Sequence, residues 1–322
     1  MKKLATQKRA AILRCLIEGN SVRATVRITG AAKDTVLALL ERAGEACLAY
    51  QDEHLTNLPC DELQMDEIWS FVGCREAVKS KAVGQHPGDV WTWTALCPKT
   101  KVIPAWRVGD RSHRTAFAFC ADLSKRVKQD LQITTDGHPA YQWAIGANFK
   151  RVNYARLVKI YGKDDATGRD VVIGAKPEAV FGNPDMSRVS TSYAERSNLT
   201  IRMGNRRFTR LTNGFSKKLS NHRHQLAITF MHYNFCRKHM TLKQTPAQAA
   251  GVADHQWTLE EVVEMMDAHF EAKLTAEFER AFDEKYTSLR TMPKSYAPVA
   301  KQTELPWYLD TSRETPPEGL NL

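Results

Sequence analysis

No window of the 322-residue sequence approaches eighteen consecutive apolar residues, so no membrane-spanning helix is expected. The basic start, Met1-Lys2-Lys3, lacks the continuous apolar run that a secretory signal needs. Ala10 to Ile17 is interrupted by Arg14 and gives way to Glu18. No Cys-x-x-Cys pair occurs, and the seven cysteines are scattered and odd in number. Free thiols in a reducing compartment fit that pattern better than a disulfide framework or a zinc ribbon. A cytoplasmic protein is expected, associated with the nucleoid if it binds DNA. Gly162, Gly168, Gly174 and Gly182 form no phosphate-binding loop, so ATP chemistry is not suggested.

The most informative absence concerns acids. From Arg196 to Ala253 there is no Asp or Glu, while eleven Lys and Arg occur. Removing those eleven from the total of 46 leaves 35 basic against 36 acidic residues, so this block carries the whole formal excess of +10. Residues 254–322 lean the other way, with seven basic and fourteen acidic side chains. An acid-free basic block suits a polyanion, because each phosphate neutralised releases counterions. Solubility alone does not require excluding every acid from such a length. Arg206, Arg207, Arg210, Lys217 and Lys218 are its candidate DNA contacts.

Residues 6–46 read as three short helices. Thr6 is placed to cap the first, and Ser21 the second, with Thr29-Gly30 as a tight turn. The third carries Val36, Leu37, Leu39 and Leu40 inward and offers Lys33 and Thr35 near its exposed start. A short helix, a Gly-containing turn and a helix with a polar N-terminal end match a helix-turn-helix that reads the major groove. Three short helices of another purpose share the pattern.

Residues 47–62 read as a connector, and the period then changes. Gln64–Gly73, Asp89–Cys97 and Lys101–Gly109 read as strands, Ser112–Val127 as a helix and Leu131–Thr135 as a strand. A short helix at Pro139–Ile145 and a strand at Tyr154–Tyr161 follow. Lys163–Ser190, with its glycines and prolines, is the least regular stretch, with at most a short strand at Val171–Ile173. Tyr193–Arg202, Ser216–Arg237 and Thr258–Glu284 read as helices. The fold class expected is α/β, a mixed sheet flanked by helices and preceded by a small all-α domain. The divisions are 1–50 for the helix-turn-helix, 51–62 for a linker, 63–253 for the catalytic domain and 254–322 for a helical acidic extension and loose tail.

Period two groups Asp66 with Ile68, Ser70 and Val72, and Glu67 with Met65, Trp69 and Phe71. Neither face is polar enough for periodicity to choose between the two acids. Asp136 ends a strand and precedes Gly137, a common position for a metal ligand in α/β proteins. Glu195 shares a helix face with Asn198 or Leu199, and with Arg202. Three such acids repel one another, and divalent cations relieve the repulsion. Hard oxygen ligands select Mg²⁺ or Mn²⁺ over zinc, and two ions can activate a water or 3′-hydroxyl while stabilising the leaving oxygen. Most acids in a chain of this length are surface or ion-paired, so the residues alone do not single out these three. His222, His224, His232 and His239 are expected to meet phosphate or solvent rather than zinc. Trp91, Trp93 and Trp106 are read as core.

Four ordered stretches carry a family likeness: Met65-Asp66-Glu67-Ile68-Trp69-Ser70-Phe71-Val72-Gly73; Thr135-Asp136-Gly137 with Tyr141; Glu195-Arg196-Ser197-Asn198 with Arg202; and Arg206-Arg207-Phe208-Thr209-Arg210 with Gly214-Phe215-Ser216-Lys217. Over residues 63–240 the chain resembles the DDE transposases of bacterial insertion sequences, most closely the insertion-sequence-one family. The resemblance implies a ribonuclease H-like core with Asp66, Asp136 and Glu195 as catalytic metal ligands and Arg202 as a DNA contact. It implies hydrolysis at element ends followed by attack of a 3′-hydroxyl on target DNA. Double-stranded DNA would be the partner, with a homo-oligomer assembled on it. Members often carry an N-terminal zinc module, which this chain lacks. Tyr233–His239, with Thr245-Pro246-Ala247, resembles the segment that closes the core. A nuclease on the same fold and a catalytically silent DNA-binding regulator are the competing readings.

Overall fold

The computed structural model describes residues 3–81, 87–163, 168–209 and 213–290. Helix α1 (Thr6–Ile17) opens the chain. Thr6 does not cap it, because Ala5 holds that position and the Thr6 hydroxyl faces the Arg9 guanidinium instead. Ser21 does cap α2 (Val22–Thr29), accepting from the Ala24 amide at 3.1 Å. Gly30 ends α2 in the left-handed region at φ 67°, where a side chain would be strained. Helix α3 (Lys33–His54) runs on through the first eight residues of the 47–62 stretch read as a connector.

Strands β1 (Glu62–Val72), β2 (Gly88–Leu96) and β3 (Trp106–Gly109) follow. Then come α4 (His113–Arg126), β4 (Leu131–Asp136), α5 (Pro139–Asn148), β5 (Val152–Lys163) and β6 (Asp170–Phe181). The remaining helices are α6 (Ser192–Gly204), α7 (Leu219–Met231), α8 (Pro246–Ala249) and α9 (Leu259–Arg290). The strands form one mixed sheet in the order β3-β2-β1-β4-β5-β6. β1–β4 and β4–β5 are parallel; the outer pairs are antiparallel. Helices flank this sheet, an arrangement consistent with a ribonuclease H-like fold.

Each face has its own core. Trp93 meets Phe119 of α4 and Tyr141 of α5. Ile68, Val72, Val90 and Leu96 pack with Ile201 of α6 and Leu226 and Phe230 of α7. Trp93 is fully buried, while Trp106 is half-buried and stacks on Phe230.

Three elements differ from expectation for identifiable reasons. β3 is short because the backbone at Ile103 is satisfied by a side chain: the Asn234 amide accepts from Ile103 N and donates to Ile103 O, both at 3.0 Å. β6 is a full strand of 12 residues where little regularity was expected. It pairs only with β5, and an edge strand tolerates Gly174 and Pro177. α7 starts at Leu219 rather than Ser216, which instead bridges to Val72. The turn His232–Cys236 that follows α7 is a π-helix.

α3 and α7 lie very close. A Cβ on Gly44 would sit 2.4 Å from the His224 Cβ. Gln51 Nε2 donates to Ala227 O at 3.2 Å, and Gln225 Nε2 donates to Leu16 O at 3.1 Å. The chain divides into two compact units, Met1–His269 and Phe270–Leu322, with α9 crossing the division. In the first unit, Asp267 pairs with Arg9 at 2.7 Å and Lys3 at 3.0 Å. No helix among the described residues is long and apolar enough to cross a membrane.

Gly44→Ala tests the α3–α7 seam. Overpacking there should destabilise the protein by about 1–3 kcal/mol, read as a lower urea midpoint at unchanged slope. An unchanged midpoint would show that the two helices separate readily.

Candidate functional site

β1 and β4 pair only at Glu62↔Gln132, Leu63↔Ile133 and Gln64↔Thr134. Carried two residues further, that register sets Asp66 level with Asp136, on strands about 4.8 Å apart. β4 ends there, so β1 has a free edge at Asp66 and Glu67. Periodicity sends these two acids to opposite faces, and their first neighbours confirm it. Asp66 Oδ2 accepts from Asn198 Nδ2 of α6 at 2.8 Å, whereas Glu67 Oε2 accepts from the Tyr141 hydroxyl of α5 at 2.9 Å. With β1 unpaired from β4 beyond Gln64, both nonetheless reach the gap between the two strands. One carboxylate oxygen from each of Asp66, Glu67 and Asp136 lies within 4.8 Å of the others. Glu67, which the family resemblance leaves out of the metal ligands, thus comes beside Asp66 and Asp136.

Backbone and side chains fix the acids. Asp66 Oδ1 accepts from the Glu67 amide at 2.8 Å, and Asp136 Oδ1 from the His138 amide at 2.9 Å. Arg111 pairs with Glu67 at 2.6 Å and stands 3.8 Å from Asp136. Glu195 is half-exposed, outside the three-oxygen group, and pairs with Lys159 of β5 at 2.8 Å. Its charge is still felt at Asp66. The start of α6 is held over β1 by buried Gln64, whose Oε1 accepts from the amides of Tyr193 and Ala194 at 2.9 and 3.2 Å. Sequence reasoning missed Arg111, Lys159 and Gln64, and nothing in their local pattern marks them.

Burial raises the Asp66 carboxyl to about 6; the Asp136 and Glu195 charges add to this, while the Glu67 amide and Lys159 oppose it. Burial and the Asp136 charge raise Glu67 to about 7 against the pull of Arg111 and Tyr141. The donor set is all oxygen, and the Asn198 Oδ1 beside Asp66 is buried with no hydrogen-bond partner. Oxygen donors with unspent acceptor capacity fit Mg²⁺ or Mn²⁺ and not zinc.

The candidate DNA contacts fall in several places. Lys33, Arg206, Arg207, Lys217 and Lys218, with Arg23, line one cleft of about 990 Å³ between the α2–α3 region and the 205–221 segment, where Glu41 is the lone acid. Arg207 is half-buried and donates to Ser216 Oγ at 2.9 Å, and desolvation pushes its guanidinium down to about 10. Arg202 is half-buried on α6, and Thr35 is half-buried outside the cleft. Arg210 lies outside the described residues. His222 is not a surface group as expected. It is fully buried between Ser216 Oγ at 2.9 Å and Ser70 Oγ at 3.4 Å, and burial lowers it to about 3, so it stays neutral.

No protein-family model matches the sequence, and no curated protein matches it. Among solved structures, a Mos1 transposase paired-end complex with left transposon end is similar at 10% identity and a TM-score of 0.21. That similarity covers 47% of this chain and 60% of the other, so the chain spans less than two thirds of it. No family model and no curated protein supports the insertion-sequence-one family in particular.

The raised carboxyls predict how metal-free stability depends on pH. Folding holds protons on Asp66 and Glu67 that the unfolded chain releases near 3.8 and 4.5. Their contribution is therefore full below about pH 4 and is lost as pH rises through 6 and 7. In EDTA, Glu67→Gln should remove part of that loss, so its Tm relative to wild type should rise from pH 5 to pH 8. Mg²⁺ should raise the wild-type Tm more at pH 8 than at pH 5, because ligands bind deprotonated. A variant difference independent of pH would contradict the assignment.

Proposed function

We propose that the protein is a metal-dependent DNA-cleaving and strand-joining enzyme of the transposase type. The observation that carries this reading is the register of β1 and β4. It sets Asp66 level with Asp136 at a free strand edge, where Glu67 supplies a third oxygen within 4.8 Å. Asp66, Asp136 and Glu195 remain the proposed catalytic ligands, and Glu67 joins them as a further carboxylate at the site. Mg²⁺ or Mn²⁺ bound there, two ions in the two-metal scheme, would supply positive charge to the phosphate oxygens and ease deprotonation of a water or 3′-hydroxyl.

The chain's own groups do the positioning. Asn198 and the Glu67 amide fix both oxygens of Asp66, and the His138 amide fixes Asp136. Arg111 neutralises Glu67 and offsets Asp136, leaving Asp66 the less compensated acid. Lys159 holds Glu195 near Asp66 and can shift to a phosphate oxygen of bound DNA. Double-stranded DNA is the proposed partner, held by the basic cleft with Lys33 at the start of α3. Element ends, target preference and assembly into a homo-oligomer belong to this proposal too.

Asp66→Asn, Asp136→Asn and Glu195→Gln should each lose cleavage and joining of a labelled end substrate by at least about a thousandfold, about 4 kcal/mol. Glu67→Gln should lose at least about tenfold, since it frees Arg111 towards Asp136. Metal-free DNA binding, by gel shift, should persist in all four. Full activity in any of the first three would remove that residue from the site, and cleavage without joining in wild type would favour a nuclease.

A further inference from the structure

A second hollow runs along the flank of α6 next to the one that carries Glu195. Its two parts, of about 390 and 640 Å³, share Arg196, Ser197, Thr200, Tyr233, Arg237 and Lys238. Lys101 and His239 extend it at one end, and Glu18 at the other is the lone acid on its walls among the described residues. Arg196, Arg237 and Lys238 are exposed and make no ion pair among the described residues.

Lys101 is the unusual member. It is only 7% exposed, and its backbone is left-handed at φ 59°, which costs energy in any residue but glycine. The ammonium lies 3.4 Å over the Tyr193 ring and donates to Pro98 O, but meets no carboxylate among the described residues. The Tyr233 hydroxyl, donating to Lys101 O at 3.0 Å, helps fix this strained residue. A buried cation without an anion is costly unless an anion comes from outside.

We propose that this groove binds the phosphodiester backbone of a nucleic-acid strand, at a site separate from the cleft lined by Lys33 and Lys217. The inference rests on the nucleic-acid reading above and deepens it. Arg196 to Met203 spans about 10 Å of helix, the axial length of about three phosphates of one strand. Arg196, Arg237 and Lys238 line both parts of the groove and Lys101 stands beyond them at one end, so several elements supply the cations, which suits a strand better than a lone phosphate ion. Tyr193 and the exposed Met240 and Met203 offer apolar surface to sugars and bases. Groove and cleft share no lining residue. Between them Gly19 meets Gly204, where a Cβ on Gly19 would be 3.1 Å from the Gly204 carbonyl oxygen. An enzyme that joins two DNA segments needs two such tracks beside one set of acids.

The test is fluorescence polarisation of a labelled duplex and of its single strand, in EDTA, over a range of salt. Arg196→Ala/Arg237→Ala/Lys238→Ala removes the groove's cations, and Arg206→Ala/Lys217→Ala/Lys218→Ala removes those of the cleft. Melting curves confirm that both fold. The groove variant should bind at least about tenfold more weakly, with a salt slope lower by about 2–3, and combining both sets should multiply the losses. Wild-type binding in the groove variant with loss in the cleft variant would overturn the groove and leave the nucleic-acid reading intact. Wild-type binding in both would overturn that reading and the groove with it. Full competition by inorganic phosphate, against chloride at matched ionic strength, would mark a single-anion site and overturn the strand.

Discussion

Repulsion among carboxylates gathered at one strand edge is the constraint around which the rest of the site is arranged. Two unit charges about 4 Å apart cost about 4 kcal/mol at an effective dielectric near 20, and here three acids approach within 4.8 Å with Glu195 close by. A fold with this cluster must supply cations, donors or protons. Arg111 stands between Glu67 and Asp136, Lys159 takes Glu195, and backbone amides take one oxygen each of Asp66 and Asp136. Burial leaves the remainder as raised proton affinity at Asp66 and Glu67. Each of these groups comes from a different element, so the site exists only when the sheet and its flanking helices are assembled.

Backbone geometry brings the acids together before any side chain acts. β4 stops at Asp136 while β1 continues to Val72, and the side of β1 left unpaired is where Asp66 and Glu67 emerge. On the α6 side, Gln64 takes the Tyr193 and Ala194 amides in the first turn of that helix, so Glu195, the next residue, is aimed by a residue two places before Asp66. Further along β1, Ser70 meets His222, which meets Ser216, which meets Arg207 at the wall of the basic cleft. The central strand thus holds both the acids and the base of the cleft in one frame. Because burial keeps His222 neutral, that link does not add a charge to it.

The strands and helices that could be read from sequence were those with strong local chemistry. β-branched and aromatic runs mark β1 and β2, Ser21 and Gly30 bracket α2, and Asp136-Gly137 marks the end of β4. Periodicity separated Asp66 from Glu67 correctly by face but could not foresee that a strand edge lets both reach one point, since edge position is set by the length of β4. β6 was hidden because its glycines and proline resemble loop chemistry and become tolerable only at an edge. Arg111 and Lys159 could not be read at all. Each compensates an acid distant in sequence, by 44 and 36 positions, and ion pairing at that range leaves no local period.

The acid-free block gains meaning from its division in space. It is continuous in sequence, yet α6 and the segment after it send its cations to two separate hollows. Arg206, Arg207, Lys217 and Lys218 go to the cleft, and Arg196, Arg237 and Lys238 to the groove. Each further acid on a wall would pair with these side chains and weaken the positive field. Each hollow has a lone glutamate, Glu41 or Glu18, and both come from the N-terminal helical region rather than from the block. A basic surface kept for solubility gains nothing from excluding acids, since interspersed charges of both signs serve that end equally well. Two hollows with a single acid each, set apart from a cluster of acids held together by Arg111 and Lys159, would in the proposed reading separate the charge that holds a polyanion from the charge that acts on it.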